Sequence, residues 1–183
     1  MAGDDEKTEQ ERGKTSIITA DAIRLVLDKA ADVDKALALI EEYDMHPFEV
    51  NVLDRRRTLT EKLVSLLRCS LADNYMPELT AKIRHFYDLH FLLNDKETRT
   101  YLESDAFKAD FANLFVQDQQ RFDKPEGWRE KDVMDSPIIK DLHSVWTTLS
   151  NVYTKELPDL AYKKIPSIES IEESIRQLIS YLK

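Results

Sequence analysis

The sequence contains two neighbouring segments with helical apolar periodicity, RTLTEKLVSLLRCS at residues 57–70 and ELTAKIRHFYDLHFLL at residues 78–93. The second segment is apolar on almost every side towards its C-terminal end, and helices of that kind are buried. It nevertheless contains Arg84 and Asp88, one helical turn apart. Burying such a charge without a partner costs on the order of several kcal/mol. We therefore expect these two charges either to be paired locally or to be retained for a function.

The remainder of the chain after residue 54 is also typical of helices. The predicted helices span residues 58–72, 78–93, 97–103, 106–122 and 138–157, and a last one begins at Ile168 with Ser167 as its N-cap. Lys124-Pro125-Glu126-Gly127 interrupts the pattern and predicts a loop that continues to Pro137. Trp128 and Trp146 are interpreted as core or loop anchors. The predicted fold class is mainly α, a helical bundle.

A short strand is predicted ahead of the bundle, because Phe48, Val50 and Val52 alternate with polar residues. A lone strand cannot satisfy its backbone, so this one needs a partner. We expect that partner to be a domain outside these residues or another chain, and pairing with a second copy makes the strand near Val50 a candidate homo-oligomer contact. The predicted organisation is a disordered arm at 1–18, a helix plus strand junction at 19–54, and a helical domain at 55–183.

Composition is consistent with a soluble cytoplasmic protein. The chain has 183 residues, 42% of them hydrophobic and 33% charged, and its polar N-terminus does not resemble a signal peptide. A single cysteine, Cys69, excludes an internal disulfide. The net charge of −9 argues against strong binding of nucleic acid by the whole surface. Basic residues concentrate between 55 and 84, where they form either a local basic patch or simply solvated helix faces.

Three motifs carry a family resemblance. They are R-T-L-x-E-K-L at residues 57–63, K-I-R-H-x-Y-D-L-H at residues 82–90, and the preceding E-Y-D-M-H-P-F-E-V-N-V-L-D at residues 42–54. From about Glu41 to its end, the chain resembles the C-terminal helical half of AbiEii/AbiGii-type nucleotidyltransferase toxins. The resemblance implies a nucleotidyltransferase domain followed by a helical domain, acting as the toxin of a type IV toxin–antitoxin pair. It also implies an NTP substrate, tRNA as a candidate acceptor, and an antitoxin as a partner.

The catalytic signature of that family is not found in this sequence. It consists of a Gly-Ser turn that approaches the phosphates, followed by an Asp-x-Asp pair that holds Mg²⁺. The chain has only Gly3, Gly13 and Gly127, and none of them precedes a serine. Its one Asp-x-Asp, at residues 32–34, lies within a helical pattern and is interpreted as a solvated helix face. No metal site is predicted, and Mg²⁺ is expected only if a separate catalytic half is supplied.

Lys62 is the first candidate site residue. Thr58, Lys62, Ser65 and Cys69 follow one another at helical spacing, along the border of the apolar face formed by the leucines. This pattern places the Lys62 ammonium at the rim of the core, where it could hold a triphosphate and offset charge during phosphoryl transfer. The alternative is a lysine whose stem covers apolar surface and whose ammonium points to water.

Asp88 is the second candidate. It could meet Lys62 or Arg84, or orient a nucleotide; the alternative is a helical pair with Arg84, worth only ~0.2–0.5 kcal/mol if exposed. A short connection between the two segments predicts an antiparallel helical hairpin. In that arrangement Lys62, Arg84 and Asp88 would cluster at one end of the bundle, next to the predicted strand.

The family resemblance implies roles for these residues. Lys62 and Asp88 are the implied catalytic residues, and Arg57, Arg84 and Ser65 are candidates for binding the nucleotide or the acceptor. His85 stands where an Asp is often found in the family. The four histidines show no metal-ligand spacing with a cysteine or an acidic set.

Two functions remain open at this stage. The chain is either the C-terminal domain of an AbiEii-like nucleotidyltransferase toxin, inactive alone because the metal motif is missing, or a non-catalytic nucleic-acid- or protein-binding module derived from that family. Retention of the Lys and Asp motifs favours the first, and absence of the metal motif favours the second. A reading frame just upstream that encodes the Gly-Ser and Asp-x-Asp signature would distinguish them.

Overall fold

The computed structural model describes residues 15–18, 38, 41, 42, 48–51, 53–161 and 164–183. The contacts divide the chain into two compact units, Met1–Asp54 and Arg55–Lys183. Within the described residues, no helix combines the length and the apolar character that crossing a bilayer requires.

The first unit contains a two-stranded antiparallel sheet. Strand β1 spans Thr15–Ile18 and strand β2 spans Phe48–Asn51, with Thr15 opposite Asn51 and Ile18 opposite Phe48. The predicted strand is therefore present, but the expectation that it lacks a partner within the chain is wrong, because residues assigned to the polar arm supply one. The helix predicted ahead of this strand, in the junction 19–54, lies outside the described residues except for residues 38, 41 and 42.

The second unit is helical, as predicted, and its described residues contain no strand. Its eight α-helices are α1 (Arg55–Ser70), α2 (Tyr75–Thr80), α3 (Ile83–Leu93), α4 (Lys96–Leu102), α5 (Asp105–Arg121), α6 (Pro137–Lys140), α7 (Leu142–Leu160) and α8 (Ile168–Ser180). A 3₁₀ turn at Val133–Asp135 precedes α6.

Two helices predicted as continuous are each divided in the structure. The segment 78–93 breaks at Ala81 and Lys82, and Lys82 has non-helical dihedral angles. Leu79 and Ile83 are buried on either side of this break, so the apolar periodicity continues across it and does not reveal it. The segment 138–157 breaks at Asp141, whose carboxylate accepts a hydrogen bond from the Ser144 N–H and starts α7 as an N-cap.

The core of the helical unit is rich in aromatic side chains. The Phe86 ring of α3 lies 5.1 Å from Trp146 of α7, and Trp146 lies 5.3 Å from Tyr153. The Trp146 Nε1–H donates to the Ile168 carbonyl at 3.0 Å, which joins α7 to the start of α8. Trp128 and Trp146 are both buried, which confirms their predicted role as anchors.

The predicted loop after α5 packs onto the end of α1. Gly127 has φ +79°, a left-handed conformation that favours glycine, and a Cβ at this position would collide with the Asp73 carboxylate. Lys131 Nζ donates to the Leu71 carbonyl and to Asp73 Oδ1, both at 2.8 Å. The loop is thereby attached to the C-terminal end of α1, and Trp128 is inserted into the core.

Truncating Phe86 tests whether the core depends on this aromatic cluster. Phe86→Ala should lower the free energy of unfolding by about 3–5 kcal/mol, because it leaves a cavity against Trp146. Urea denaturation followed by circular dichroism measures the loss. The control is Val116→Ala on the exposed side of α5, which should change stability by no more than about 0.5 kcal/mol. Equal losses in both variants would contradict the assignment of Phe86 to the core.

Candidate functional site

An ion pair between Lys62 of α1 and Asp88 of α3 is the centre of the candidate site. The Lys62 ammonium lies 2.8 Å from Asp88 Oδ2, and the side chains are 24% and 21% exposed. Leu59 and Leu63 of α1 are buried, as are Tyr87 and Leu89, the residues on either side of Asp88. Burial of these neighbours fixes the two helices, so both charges are held at the rim of the core while remaining accessible to solvent.

Arg84 lies beside this pair, one turn before Asp88 on α3. Its Nε is 3.9 Å from Asp88 Oδ2, and its side chain is 59% exposed. Lys62, Arg84 and Asp88 therefore do cluster, as predicted. The cluster lies near the middle of the 16-residue α1 and of the 11-residue α3, however, rather than at one end. The expected position was wrong because α1 begins at Arg55 and the second predicted helix is divided.

His85 is the half-buried neighbour of this cluster. Its pKa is lowered to about 4, chiefly by burial and in addition by the positive charges of Lys62 and Lys82, while Asp88 acts in the opposite direction. The imidazole is consequently neutral at neutral pH. The charged groups of the cluster are then Lys62, Lys82 and Arg84, which are positive, and Asp88, which is negative. Their net charge of +2 favours an anionic ligand.

Arg57 and Ser65 lie apart from this cluster, on the side of α1 that faces α5. They line what we call the α1–α5 groove, a surface groove of about 570 Å³ formed by Arg57, Glu61, Ser65 and Arg68 of α1 together with Asp118 and Arg121 of α5. Phe122, directly after α5, closes one side of it. The five predicted site residues are thus divided between two places: Lys62 lies with Arg84 and Asp88 of α3, and Arg57 and Ser65 lie in the α1–α5 groove.

The described residues provide no ligand set for Mg²⁺, since no three His, Cys, Asp or Glu side chains converge among them. Residues 32–34 lie outside the described part of the chain. The other two histidines of the helical unit, His90 and His143, make ordinary contacts. His90 Nδ1 is 2.7 Å from Ser174 Oγ, and His143 Nδ1 is 3.1 Å from Glu172 Oε1.

Comparison with known families identifies the chain. The model of the nucleotidyltransferase AbiEii toxin family, a type IV toxin–antitoxin system, matches residues 16–174. The chain belongs to this family. The match begins well before Glu41, where the motif-based resemblance was expected to start, and it includes both Lys62 and Asp88. Neither the curated proteins nor the solved structures compared with the chain provide a significant match.

Family membership confirms the resemblance inferred from the motifs. It also implies an antitoxin partner, because type IV toxins occur in toxin–antitoxin systems.

Two features of the site were missed at the level of sequence. Lys82 is predicted only as one of the residues of a local basic patch, and its effect on His85 is not predicted, although its charge acts on that ring. The α1–α5 groove was also missed. The spacing of Arg57, Glu61, Ser65 and Arg68 places them on one helical face, but their partners on α5 are some 50 residues away, as in the Arg68–Asp118 pair.

The pKa of His85 tests the geometry of the cluster. In Lys62→Gln it should rise, because a neighbouring positive charge is removed, and in Asp88→Asn it should fall further, because a negative charge is removed. Imidazole ¹H–¹⁵N NMR titration measures both shifts. Lys108→Gln, an exposed charge change on α5, is the control and should leave the titration unchanged. A wild-type His85 that titrates near its ordinary value would show that the ring is not held beside these lysines.

The same shift predicts a pH dependence of stability. The pKa of His85 is about 4 in the folded state and ~6.5 when unfolded, so between these values the unfolded state binds more protons. Stability should therefore fall as pH falls from about 6.5 towards 4, and the loss should be smaller in His85→Gln. Thermal melts over this range provide the measurement, with His143→Gln as the control for loss of an exposed imidazole. Identical pH profiles for His85→Gln and the wild type would contradict the prediction.

Proposed function

We propose that residues 55–183 form the helical part of an AbiEii-like nucleotidyltransferase toxin, in which Lys62 and Asp88 contribute to binding of the NTP and its acceptor. The observation that supports this proposal most directly is the Lys62–Asp88 ion pair, 2.8 Å long and held between two buried helices. Both residues belong to the motifs that carry the family resemblance.

The geometry suits recognition of a phosphate by Lys62. A lysine ammonium has three N–H donors and Asp88 Oδ2 accepts one, which leaves two donors for a phosphate oxygen. Asp88 also fixes the position of the ammonium, so less side-chain entropy is lost when a ligand binds. Arg84, more exposed on the same edge, extends the positive surface towards the ligand. A cation held in this way stabilises the charge that develops during phosphoryl transfer.

A purely structural ion pair is the competing explanation for this contact. Partly exposed ion pairs contribute only ~0–1 kcal/mol to the free energy of unfolding. Stability alone therefore explains poorly why both charged residues occupy these positions. A structural role predicts lower stability and no change in ligand affinity when Lys62 is replaced. The proposed role predicts lower affinity for the ligand with only a small change in stability.

Transfer of a nucleotide requires more than these residues. Two carboxylates are needed to hold Mg²⁺ for the reaction, and the described residues offer no such set. We propose that Mg²⁺ and its ligands come with a separate catalytic segment, and that this chain alone is inactive. The acceptor is proposed to be tRNA.

The second candidate function is a non-catalytic module that binds nucleic acid or protein. Two observations favour it: the described residues have no metal ligand set, and the α1–α5 groove provides a binding surface separate from Lys62. Catalysis by a complex that contains this chain, lost upon replacement of Lys62, would exclude this alternative.

Incubation of the chain with labelled NTPs, Mg²⁺ and total tRNA should produce no labelled RNA, because no carboxylates converge to hold Mg²⁺ among the residues that the structure describes. Denaturing gel electrophoresis detects the product. Addition of a nucleotidyltransferase domain that carries the Gly-Ser and Asp-x-Asp signature should restore labelling. Labelling by the chain alone that disappears in Lys62→Ala would overturn the proposed inactivity while supporting the role of Lys62.

Binding of NTP to the chain should depend on Lys62. Lys62→Met keeps the apolar stem and removes the charge, and it should weaken binding of a non-hydrolysable NTP analogue by about ten-fold or more. Calorimetric titration measures the affinity, Lys62→Arg should retain part of it, and Lys108→Met is the matched control on α5. A Lys62→Met variant with unchanged affinity and reduced stability would favour the structural explanation.

A further inference from the structure

The α1–α5 groove combines an exposed aromatic ring with arginine side chains. Phe122 is 38% exposed, and the Arg68 and Arg121 guanidiniums lie over its ring at 4.4 and 5.7 Å from the centroid. Large aromatic residues are normally buried, so an exposed ring close to two guanidiniums is informative. Aromatic rings and guanidinium planes are the surfaces on which proteins stack unpaired nucleobases.

Arg68 is held rigidly at the base of this groove. Its side chain is 15% exposed, its Nη1 donates to Asp118 Oδ2 at 2.8 Å, and its guanidinium also lies 5.7 Å from the Trp128 ring centroid. Its buried Nε makes no hydrogen bond. The guanidinium is therefore positioned by Asp118 and two aromatic rings, which keeps the stacking surface in one conformation before any ligand arrives.

The charges of the groove indicate what kind of anion it suits. Arg57 pairs with Glu61 at 2.7 Å and Arg68 pairs with Asp118, whereas Arg121 forms no ion pair with a described carboxylate. The net charge of these five residues is +1. This balance suits a phosphodiester, which carries one negative charge, better than a triphosphate, which carries several.

We infer that the α1–α5 groove binds single-stranded RNA, with one base stacked at Phe122 and the adjoining phosphodiester at Arg121. The volume of about 570 Å³ lies within the range of small-molecule sites and accommodates one nucleotide. The net charge of −9 on the whole chain disfavours binding elsewhere on the surface. The choice of RNA rests on the proposed function. The α1–α5 groove would bind the acceptor strand on one edge of α1, and Lys62 lies on the opposite edge.

Fluorescence anisotropy with a labelled 12-nucleotide single-stranded RNA tests this inference on the full chain. Phe122→Leu keeps apolar volume but removes the stacking face, and it should weaken binding about five-fold or more. Arg121→Gln should weaken binding and reduce the slope of log K against log salt by about 0.7, the value for one phosphate contact on a single strand. Arg99→Gln on α4 makes the same charge change away from the groove and should match the wild type.

The other outcomes each count against the inference. Unchanged affinity in both Phe122→Leu and Arg121→Gln overturns it, as does an equal loss in Arg99→Gln. Equal affinity for duplex RNA rules out base stacking, and ATP that competes at micromolar concentration assigns the groove to a free nucleotide instead. RNA binding that depends on Lys62 but not on Phe122 would reject the groove and leave the proposed function standing.

Discussion

Burial of α1 is the constraint on which the rest of the helical unit depends. Leu59, Leu63, Val64, Leu66 and Leu67 are all at most 1% exposed, and the helix contacts α2, α3 and α5. A helix surrounded in this way has little surface left for polar residues. Polar side chains of α1 lie along two edges of the helix. Lys62 faces α3, whereas Arg57, Glu61, Ser65 and Arg68 face α5. Both proposed binding surfaces are therefore consequences of how a single helix is packed.

The two edges differ in how they hold charge. The Lys62–Asp88 pair is partly exposed, so solvent compensates for much of the cost of bringing the charges together. The Arg68–Asp118 pair is more deeply placed, and burial raises the pKa of Asp118 even though Arg68 acts to lower it. Desolvation exceeds the attraction at that pair. We interpret Arg68–Asp118 as a fixed support for the groove and Lys62–Asp88 as a pair that a phosphate can enter.

His85 shows how the first edge stays selective for anions. A protonated imidazole beside Lys62 and Lys82 would add a third like charge in a partly buried place, and the structure avoids this by keeping the ring neutral. The positive charge is then concentrated on side chains with long flexible stems, which can follow a phosphate.

Sequence reasoning predicted the parts of this structure that depend on local periodicity. The helices, the Ser167 cap and the contact of Lys62 with Asp88 follow from spacing, because residues on one face of each helix meet when neighbouring helices pack. The division at Ala81 and Lys82 could not be predicted, since buried residues continue on both sides of it. The division at Asp141 is predictable from the sequence, because an Asp just before a helical segment is a preferred N-cap residue. The partner of β2 is some 30 residues upstream, and local pattern does not reveal such pairing.

The α1–α5 groove marks the limit of such reasoning for the site itself. The family resemblance implies one nucleotide or acceptor site that contains Arg57 and Ser65 together with Lys62. Position around the helix separates them: Arg57 and Ser65 face α5, and Lys62 faces α3. What each edge can bind is decided by residues on those other helices, Asp88 and Arg84 in one case and Asp118, Arg121 and Phe122 in the other. A substitution in the buried leucines of α1 would disturb both surfaces at once, whereas a substitution on either edge separates them. Because α1 packs against α3 on one side and α5 on the other, each binding surface can be altered alone. In a single shared site, one substitution would affect both ligands.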